Sequence, residues 1–315
     1  MANAEAFEDL RPLVFSIAYR ILGTVTEAED AVQETWLRYD GADVEPDSLK
    51  SYLATIVTRT SIDVLRSARM RREAYVGPWF PEPLLTDAQP DQPSIDVLSG
   101  DPAHAAELAD SVSMAALLLL ERLTPLERAV FVMREVFQFG YDDVAAAVGR
   151  SEPACRQLAA RARRHMDEGR PRFEADRRKR EELADRFFDA LSAGDLDGLQ
   201  SLLAADVAAY NDGGGLAGGE GGTFGAERAA RILVASVPPL LATGAIMERR
   251  EVNGHPGAVM RDHRGDIVGT WTLEILDGAI IGIRSITSPT KLKHLGPVGD
   301  LRATLRRRRN RRGPR

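Results

Sequence analysis

The segment 151–166 carries a dense set of basic and hydrogen-bonding side chains. At 3.6 residues per turn, it places apolar residues on one face and polar residues on the other. The polar face and its capping residue comprise Ser151, Glu152, Pro153, Arg156, Gln157, Ala160, Arg161, Arg163 and Arg164. An arginine can donate two hydrogen bonds to guanine, a glutamine can bond adenine, and further arginines neutralise phosphates. These residue types indicate a helix that contacts DNA.

The residues before this helix supply the turn that it needs. Counting Tyr141 as the first position, Ala145 is fifth, Gly149 ninth and Cys155 fifteenth. Two crossing helices need a small residue where they touch, a glycine in the turn and an apolar residue that fixes the second helix. The spacing therefore predicts a helix-turn-helix over 141–166. The alternative is a helical hairpin whose basic face is merely solvated.

Helical periodicity also fills the chain's first 72 residues. It predicts a helix over 4–22, a second that starts with a capping box formed by Thr26 and Glu29, and a third that is capped by Asp47 or Ser48. Helices resume near residue 104, and Thr124 with Glu127 forms another capping box. We therefore expect all-α domains over 1–72 and 104–172.

The connecting segment 73–103 differs from both domains in composition. From Glu73 to Glu121 the chain contains acidic residues but no lysine or arginine, and the first half is rich in proline. Proline resists helix and sheet, so this composition predicts an extended acidic linker.

The pattern changes again after residue 172. Helices are predicted over 175–193, 196–203 and 225–236, with a glycine-rich loop over 211–222. Alternating apolar residues then predict strands over 246–252, 258–261, 267–276 and 279–286, the last two joined by a hairpin at Asp277 and Gly278. We expect an α+β domain over 173–295, so the fold class is multidomain. Residues 296–315 should form a disordered basic tail that either grips DNA phosphate or lies on the acidic linker.

Composition excludes several functional classes. The 315 residues are 44% hydrophobic and 28% charged, as in an ordinary globular protein. Because no apolar window is long enough to cross a membrane and the first residues do not resemble a signal peptide, we expect a cytoplasmic protein with no membrane partner. Cys155 is the only cysteine, which excludes intrachain disulfides and thiolate metal clusters. The sequence also indicates no other metal site and no cofactor.

Two segments resemble bacterial sigma factors. Residues 5–72 resemble sigma region 2, chiefly through the segment from Glu29 to Arg38, which reads EDAVQETWLR. Residues 107–168 resemble region 4, through LTPLER at 123–128 and SEPACRQL at 151–158. Only these two regions are present, which is the arrangement of the extracytoplasmic-function (ECF) group.

This resemblance implies three binding surfaces. The first would bind the clamp helices of core RNA polymerase through Asp30, Gln33, Glu34 and Arg38. The second would contact the promoter −10 element through Thr55, Thr58, Arg59, Asp63 and Arg66. The third would read the −35 element through Ser151, Glu152, Pro153, Arg156, Gln157, Ala160, Arg161 and Arg164. The alternative for the first set is a solvated polar face.

The third domain resembles the SnoaL-like α+β fold, in which helices cover a curved sheet. ECF sigma factors with this extension carry a WLPEP linker, a DGGGK loop and an NPDKL segment, which here read WFPEP at 79–83, DGGGL at 212–216 and SPTKL at 288–292. The loop lysine is absent. The resemblance implies regulation in cis, through an interface that comprises Trp79, Phe80, Pro81, Glu82, Pro83, Asp212, Gly213, Gly214, Gly215 and Lys291. The alternative is an inert spacer.

The sequence supports a transcription initiation factor that is not an enzyme and is monomeric when free. Tyr210, Asp212, His255, Asp262 and Trp271 could approach a pocket, but they form no recognisable catalytic spacing. Such a pocket could hold an unknown small ligand. Two rivals stay open: a helix-turn-helix regulator that acts without polymerase, and an enzyme fused to a DNA-binding module.

Overall fold

The chain divides into two compact units. The computed structural model describes residues 2–42, 44–73, 75, 77–87, 111–169, 176–214 and 222–305. The first unit comprises residues 1–74 and 88–171, and the second comprises residues 75–87 and 172–315. All described residues of the predicted linker except Glu73 thus belong to the α+β unit, and residues 88–110, where the helix near residue 104 was predicted, lie outside the described part.

The first unit begins with three long helices that pack on one another. They are α1 (Ala2–Leu22), α2 (Val25–Asp40) and α3 (Leu49–Glu73). The capping box predicted at Thr26 is wrong, because α2 starts earlier and Thr24 is its N-cap. The hydroxyl of Thr24 donates to the Glu27 carboxylate at 2.8 Å, whereas Glu29 pairs with Arg11.

The segment that resembles region 4 follows as a set of shorter helices. These are α4 (Met114–Leu120), α5 (Pro125–Phe131), a π-helical turn (Val132–Val136), α6 (Tyr141–Val148) and α7 (Glu152–Gly169). The capping box of Thr124 and Glu127 is confirmed. The predicted helix-turn-helix is also confirmed: α6 ends at Gly149, whose φ of +64° lets the chain turn into α7.

Buried arginines join the two sets of helices. The Arg20 guanidinium on α1 is fully buried, donates to Ser111 Oγ at 2.8 Å and lies over the Phe137 ring. Arg128 on α5 donates to the Arg20 carbonyl at 2.9 Å and pairs with Glu121. Burial lowers the pKa of Arg20 to about 9, so its neighbours must compensate a costly buried charge.

The second unit is a six-stranded sheet packed against helices. Its helices are α8 (Arg177–Ala193), α9 (Leu196–Leu202) and α10 (Ala226–Leu241). Its strands are β1 (Leu203–Asp212), β2 (Thr223–Phe224), β3 (Ile246–Val252), β4 (His255–Arg261), β5 (Ile267–Leu276) and β6 (Ala279–Ile286). The sheet order is β2-β1-β6-β5-β4-β3; β1 and β6 pair in parallel, and the other four neighbouring strand pairs are antiparallel.

Four predicted strands are confirmed, but two were missed. β1 has the sequence LAADVAAYND, and its alanine-rich composition has little intrinsic preference for a strand. β4 starts before the strand predicted over 258–261: His255 opens it and pairs with Val252, while Asn253 and Gly254 form the turn. The Asp277–Gly278 hairpin is confirmed.

The start of the expected disordered tail is ordered. The Ile267 amide donates to the Pro297 carbonyl at 2.8 Å, and the Gly299 amide donates to the Ile267 carbonyl at 2.9 Å. Residues 301–305 are helical, and Thr304 is buried. The arginine run over 306–315 lies outside the described residues.

His255 should make the α+β unit sensitive to acid. Burial, with the charge of Arg180, lowers the pKa of His255 to about 3. The unfolded chain therefore binds an extra proton between about pH 6.5 and pH 3, so this stabilisation is present above pH 6.5 and is lost as pH falls. We expect His255→Leu to reduce the pH dependence of the unfolding free energy by up to about 1.4 kcal/mol per pH unit within this window.

The measurement is chemical denaturation of the full chain at pH 7.0, 6.0 and 5.0. His263→Leu is the control, because the His263 side chain is 34% exposed. Equal slopes for the wild type and His255→Leu would contradict the prediction.

Candidate nucleic-acid interface and tether site

The outer face of α7 is accessible, as a DNA-reading helix requires. Every predicted −35 residue lies there: Glu152 is half-buried, and the remaining seven residues are exposed. The inner residues Cys155, Leu158, Ala159 and Ala162 are buried, which fixes the helix against its neighbours. The sequence thus predicted correctly which face of α7 is free.

Ion pairs orient two arginines of this face. Arg156 pairs with Glu152 at 2.7 Å and lies over the Tyr141 ring at 4.8 Å. Arg161 pairs with Glu127 at 2.9 Å. Burial raises the pKa of Glu127, but hydrogen bonds from Arg161 and Thr124 outweigh this and leave the pKa below its usual value. Glu127 therefore stays ionised and holds Arg161 in place.

The −10 set on α3 is only partly accessible. Asp63 and Arg66 are exposed and pair at 3.4 Å, and Thr55 is half-buried. Thr58 is fully buried, and its hydroxyl has no hydrogen-bond partner among the described residues. A contact between Thr58 and DNA would therefore need a change in the packing around α3.

Arg59 contacts the helix-turn-helix. Its Nη2 donates to the Ala146 carbonyl at 2.6 Å, and its Nε contacts the Ala147 carbonyl at 3.4 Å. These carbonyls end α6, where unpaired acceptors and the helix dipole favour a cation. Arg59 therefore caps a helix of the helix-turn-helix in this arrangement.

The core-binding set forms one stripe on α2. Asp30, Gln33 and Arg38 are exposed, while Glu34 is half-buried and pairs with Arg38 at 2.7 Å. The sequence analysis missed Leu37 in the same stripe, which is 64% exposed. Its position four residues after Gln33 in the helical repeat predicts that it lies on the same face as the polar set.

The segment 75–87, here called the tether, lies against the α+β unit around Asp212. The Asp212 carboxylate is fully buried and accepts hydrogen bonds from the Phe80 amide at 2.8 Å and Lys291 Nζ at 2.7 Å. It also accepts from the Tyr75 hydroxyl and the Gly214 amide. Four donors to one carboxylate offset its loss of hydration.

Lys291 completes this cluster. Besides Asp212, its ammonium bonds the Phe80 carbonyl and lies over the rings of Trp79 and Tyr75, at 4.2 and 4.7 Å. Aromatic faces attract a cation, more strongly when water is excluded. Burial, with the hydrogen bond to Asp212, raises the pKa of Tyr75, so its phenol remains a donor.

The far half of the tether pairs with the β3–β4 turn. The Leu84 amide donates to Asn253 Oδ1 at 3.0 Å, the Thr86 amide donates to the Glu251 carbonyl at 3.0 Å, and Asp87 pairs with Arg250. His294 bonds the Pro83 carbonyl at 2.7 Å. Sequence reasoning missed Asn253, Arg250 and His294, because their spacing along the chain gives no sign of this contact.

The structure therefore brings most of the predicted regulatory set together. Trp79, Phe80, Asp212, Gly214 and Lys291 contact one another directly or through shared partners. Pro81, Glu82, Pro83 and Gly213 are buried in the same unit. Gly215, and Leu216 at the place of the missing loop lysine, lie outside the described residues.

Comparisons with known proteins agree with this architecture. The family models for Sigma-70 region 2 and Sigma-70 region 4 match residues 6–71 and 113–166. The ECF RNA polymerase sigma factor SigJ of Mycobacterium tuberculosis is 34% identical over 309 residues, covering 94% of this chain and 95% of SigJ. SigG of the same organism is 28% identical over 295 residues, covering 86% of this chain and 76% of SigG.

A solved structure extends the match to three dimensions. The crystal structure of M. tuberculosis SigJ superimposes with a TM-score of 0.68 at 32% identity, covering 92% of this chain and 98% of that chain. This coverage includes the α+β unit, so the expected multidomain fold with a SnoaL-like extension is confirmed.

The two helical regions and the basic face of α7 define a non-enzymatic transcription initiation factor of the sigma type. More specifically, the chain belongs to the extracytoplasmic-function RNA polymerase sigma factors.

None of the helices in the described ranges is long and apolar enough to span a membrane.

Asp212→Ala should release the tether. The change leaves Lys291 as a buried charge without its carboxylate and removes an acceptor from the Phe80 amide, a defect that costs about 3–5 kcal/mol in buried pairs. We expect faster amide hydrogen exchange over 75–87 in the full chain, measured by mass spectrometry. Asp206→Ala is the control, because Asp206 is exposed on the same strand. Unchanged protection of the tether in Asp212→Ala would contradict this role.

Proposed function

We propose that this chain directs promoter-specific initiation through the three surfaces described above, under control of its own α+β unit. The stripe on α2 binds core polymerase, α3 meets the −10 element and α7 reads the −35 element. The observation that carries the proposal is the exposed basic face of α7 on a helix-turn-helix, within a chain that belongs to the ECF sigma factors. We propose that it acts as a monomer in the cytoplasm until polymerase binds.

The residues of α7 divide by chemistry. Gln157 is exposed and suited to the edge of a base, whereas Arg164 is suited to a phosphate. We therefore expect Gln157→Ala to lower affinity for the preferred −35 sequence by about 1–3 kcal/mol and to relax the preference at one position. Arg164→Ala should weaken binding to all sequences evenly and reduce its salt dependence.

The measurement is open-complex formation by reconstituted holoenzyme on promoters with single −35 substitutions, at several salt concentrations. Arg178→Ala in the α+β unit is the control, because Arg178 is exposed and pairs only with its helix neighbour Glu182 among the described residues. An identical loss for Gln157→Ala on every promoter would refute base readout by this residue.

The tether gives regulation in cis a physical basis. Residues 75–87 lie in the chain path between region 2 and region 4, and their contacts with Asp212, Asn253 and Glu251 commit them to the α+β unit. A docked tether shortens the chain that can span the −10 and −35 elements. Because the unit is covalently attached, even a weak interface is occupied at high effective concentration.

Run-off transcription tests both parts of this proposal, promoter-specific initiation and regulation in cis. Core polymerase and fragmented genomic DNA would be combined with the full chain, with Asp212→Ala, or with a version that ends near Arg172. We expect new starts that share −35 and −10 elements, and the same direction of change in output for Asp212→Ala and the truncation. Asp206→Ala should match the wild type.

Two results would overturn the proposal. If no protein directs any start while the full chain shifts duplex DNA alone, the chain acts as a polymerase-independent regulator. If starts appear but neither Asp212→Ala nor the truncation changes their yield, the tether is an inert spacer.

We further propose that the α+β unit holds a small ligand in a cavity between its helices and its sheet.

A further inference from the structure

The α+β unit encloses a cavity that the sigma surfaces do not use. Its volume is about 490 Å³, within the range of small-molecule sites. Leu233, Val237 and Leu240 line it from α10, and Met260, Val268 and Ile283 line it from the sheet. The body of the cavity is therefore hydrocarbon.

The cavity opens to solvent at an apolar rim. Ile232 on α10 and Leu305 in the helical segment 301–305 both line it, yet they are 46% and 40% exposed. Phe224 is also exposed, and its ring lies 5.7 Å from the ring of Tyr210, another lining residue. Exposed apolar side chains beside an open cavity favour the entry of an apolar molecule.

Polar groups in the cavity wall determine which polar head group such an apolar molecule can carry. Asn211 Oδ1 accepts from Ser285 Oγ at 2.8 Å and from Thr287 Oγ1 at 3.3 Å. This uses the acceptor of Asn211 and leaves its amide nitrogen as a donor, which makes no hydrogen bond within the described part of the chain. All three residues line the cavity.

Arg228 adds a positive charge to the same wall. It lies one turn before Ile232 on α10, is exposed and lines the cavity. Arg231 on the same helix pairs with Glu227 at 2.6 Å, whereas Arg228 has no ion pair with any described residue. No aspartate, glutamate or histidine is among the lining residues that the structure describes. The electrostatics therefore favour an anionic head.

We propose that this cavity binds a monocarboxylic acid with a hydrocarbon body, whose carboxylate is held by Arg228 and the Asn211 amide. The hydrocarbon would lie between α10 and the sheet. The acid requires no reaction at this site, so the cavity serves as a sensor site.

The cavity and the tether are connected through the end of β1 and through the segment that follows β6. Asn211 precedes Asp212, and the amides of Thr287 and Ser288 donate to the Asp212 carbonyl at 2.8 and 3.1 Å. A ligand that shifts Asn211 or Thr287 thus acts on the strand ends that position Asp212, the carboxylate to which the tether binds. This regulatory consequence rests on the proposed regulation in cis, whereas the binding site does not.

Calorimetry on the full chain tests the site directly. Decanoate and 1-naphthoate are the probes, with decanol and decylamine as head-group controls. We expect saturable binding of at least one acid, and at least tenfold weaker binding of the alcohol and the amine. Absence of binding by both acids, or equal binding of decylamine, would overturn the proposal.

Two pairs of variants locate the binding. Ser236→Phe should block the cavity without disturbing a buried residue, because Ser236 is exposed and lines it, while exposed Ala235→Phe is the control outside the lining. Arg228→Gln should weaken the acids at least tenfold and leave decanol unchanged, with Arg231→Gln as its control. Full acid affinity in both Ser236→Phe and Arg228→Gln, with folding verified by circular dichroism, would overturn the assignment.

The calorimetric experiment contains no polymerase, so its failure is distinct from a failure of regulation in cis. Adding the bound acid to the run-off reaction then tests the connection. We expect the acid to change the output of the full chain and of Ala235→Phe, but not that of Ser236→Phe. An equal response from Ser236→Phe would overturn the assignment of the effect to this cavity.

Discussion

The buried carboxylate of Asp212 is the constraint on which the arrangement of the C-terminal unit depends. A carboxylate removed from water is stable only when donors surround it, and here they come from the tether, the glycine loop and Lys291. Without the tether, Asp212 loses the Phe80 amide and the Tyr75 hydroxyl together. The docked tether and the buried carboxylate therefore stabilise each other, which makes the contact specific.

In the helical unit, arginines stabilise the packing of the helices, and one of these arginines is also predicted to contact DNA. Arg20 and Arg128 join region 2 to region 4 through buried hydrogen bonds. Arg59, expected at the −10 element, instead caps α6, and Thr58 beside it is buried. In the packing described here, Thr58 is the buried member of the five predicted −10 residues, whereas Arg59 is exposed but engaged with α6. Under the proposed function, Arg59 would exchange its contact with α6 for one with DNA, which would link the position of region 4 to −10 binding.

The sequence could predict what depends on local spacing. The capping box at Thr124, the positive φ of Gly149 and the accessible face of α7 all follow from residues within a few turns of one another. The tether contacts could not be derived in this way, because Leu84 and Asn253 lie 169 residues apart and their pairing requires the folded sheet. β1 was missed because an alanine-rich strand gains its stability from β6 and α10 rather than from its own residues.

The same unit also shows why a shared fold does not carry a shared chemistry. Of the five residues considered for catalysis, only Tyr210 and Trp271 line the cavity. Asp212 is occupied by the tether, and Asp262 accepts backbone amides of its own turn at 2.8 and 3.1 Å. His255, with its pKa lowered to about 3, is neutral at ordinary pH and does not line the cavity. An acid and a base are therefore not assembled around a substrate position within the described residues. The cavity has an apolar body, a hydrogen-bond donor and a cation. These groups can bind a ligand, but they are not an acid and base pair for catalysis.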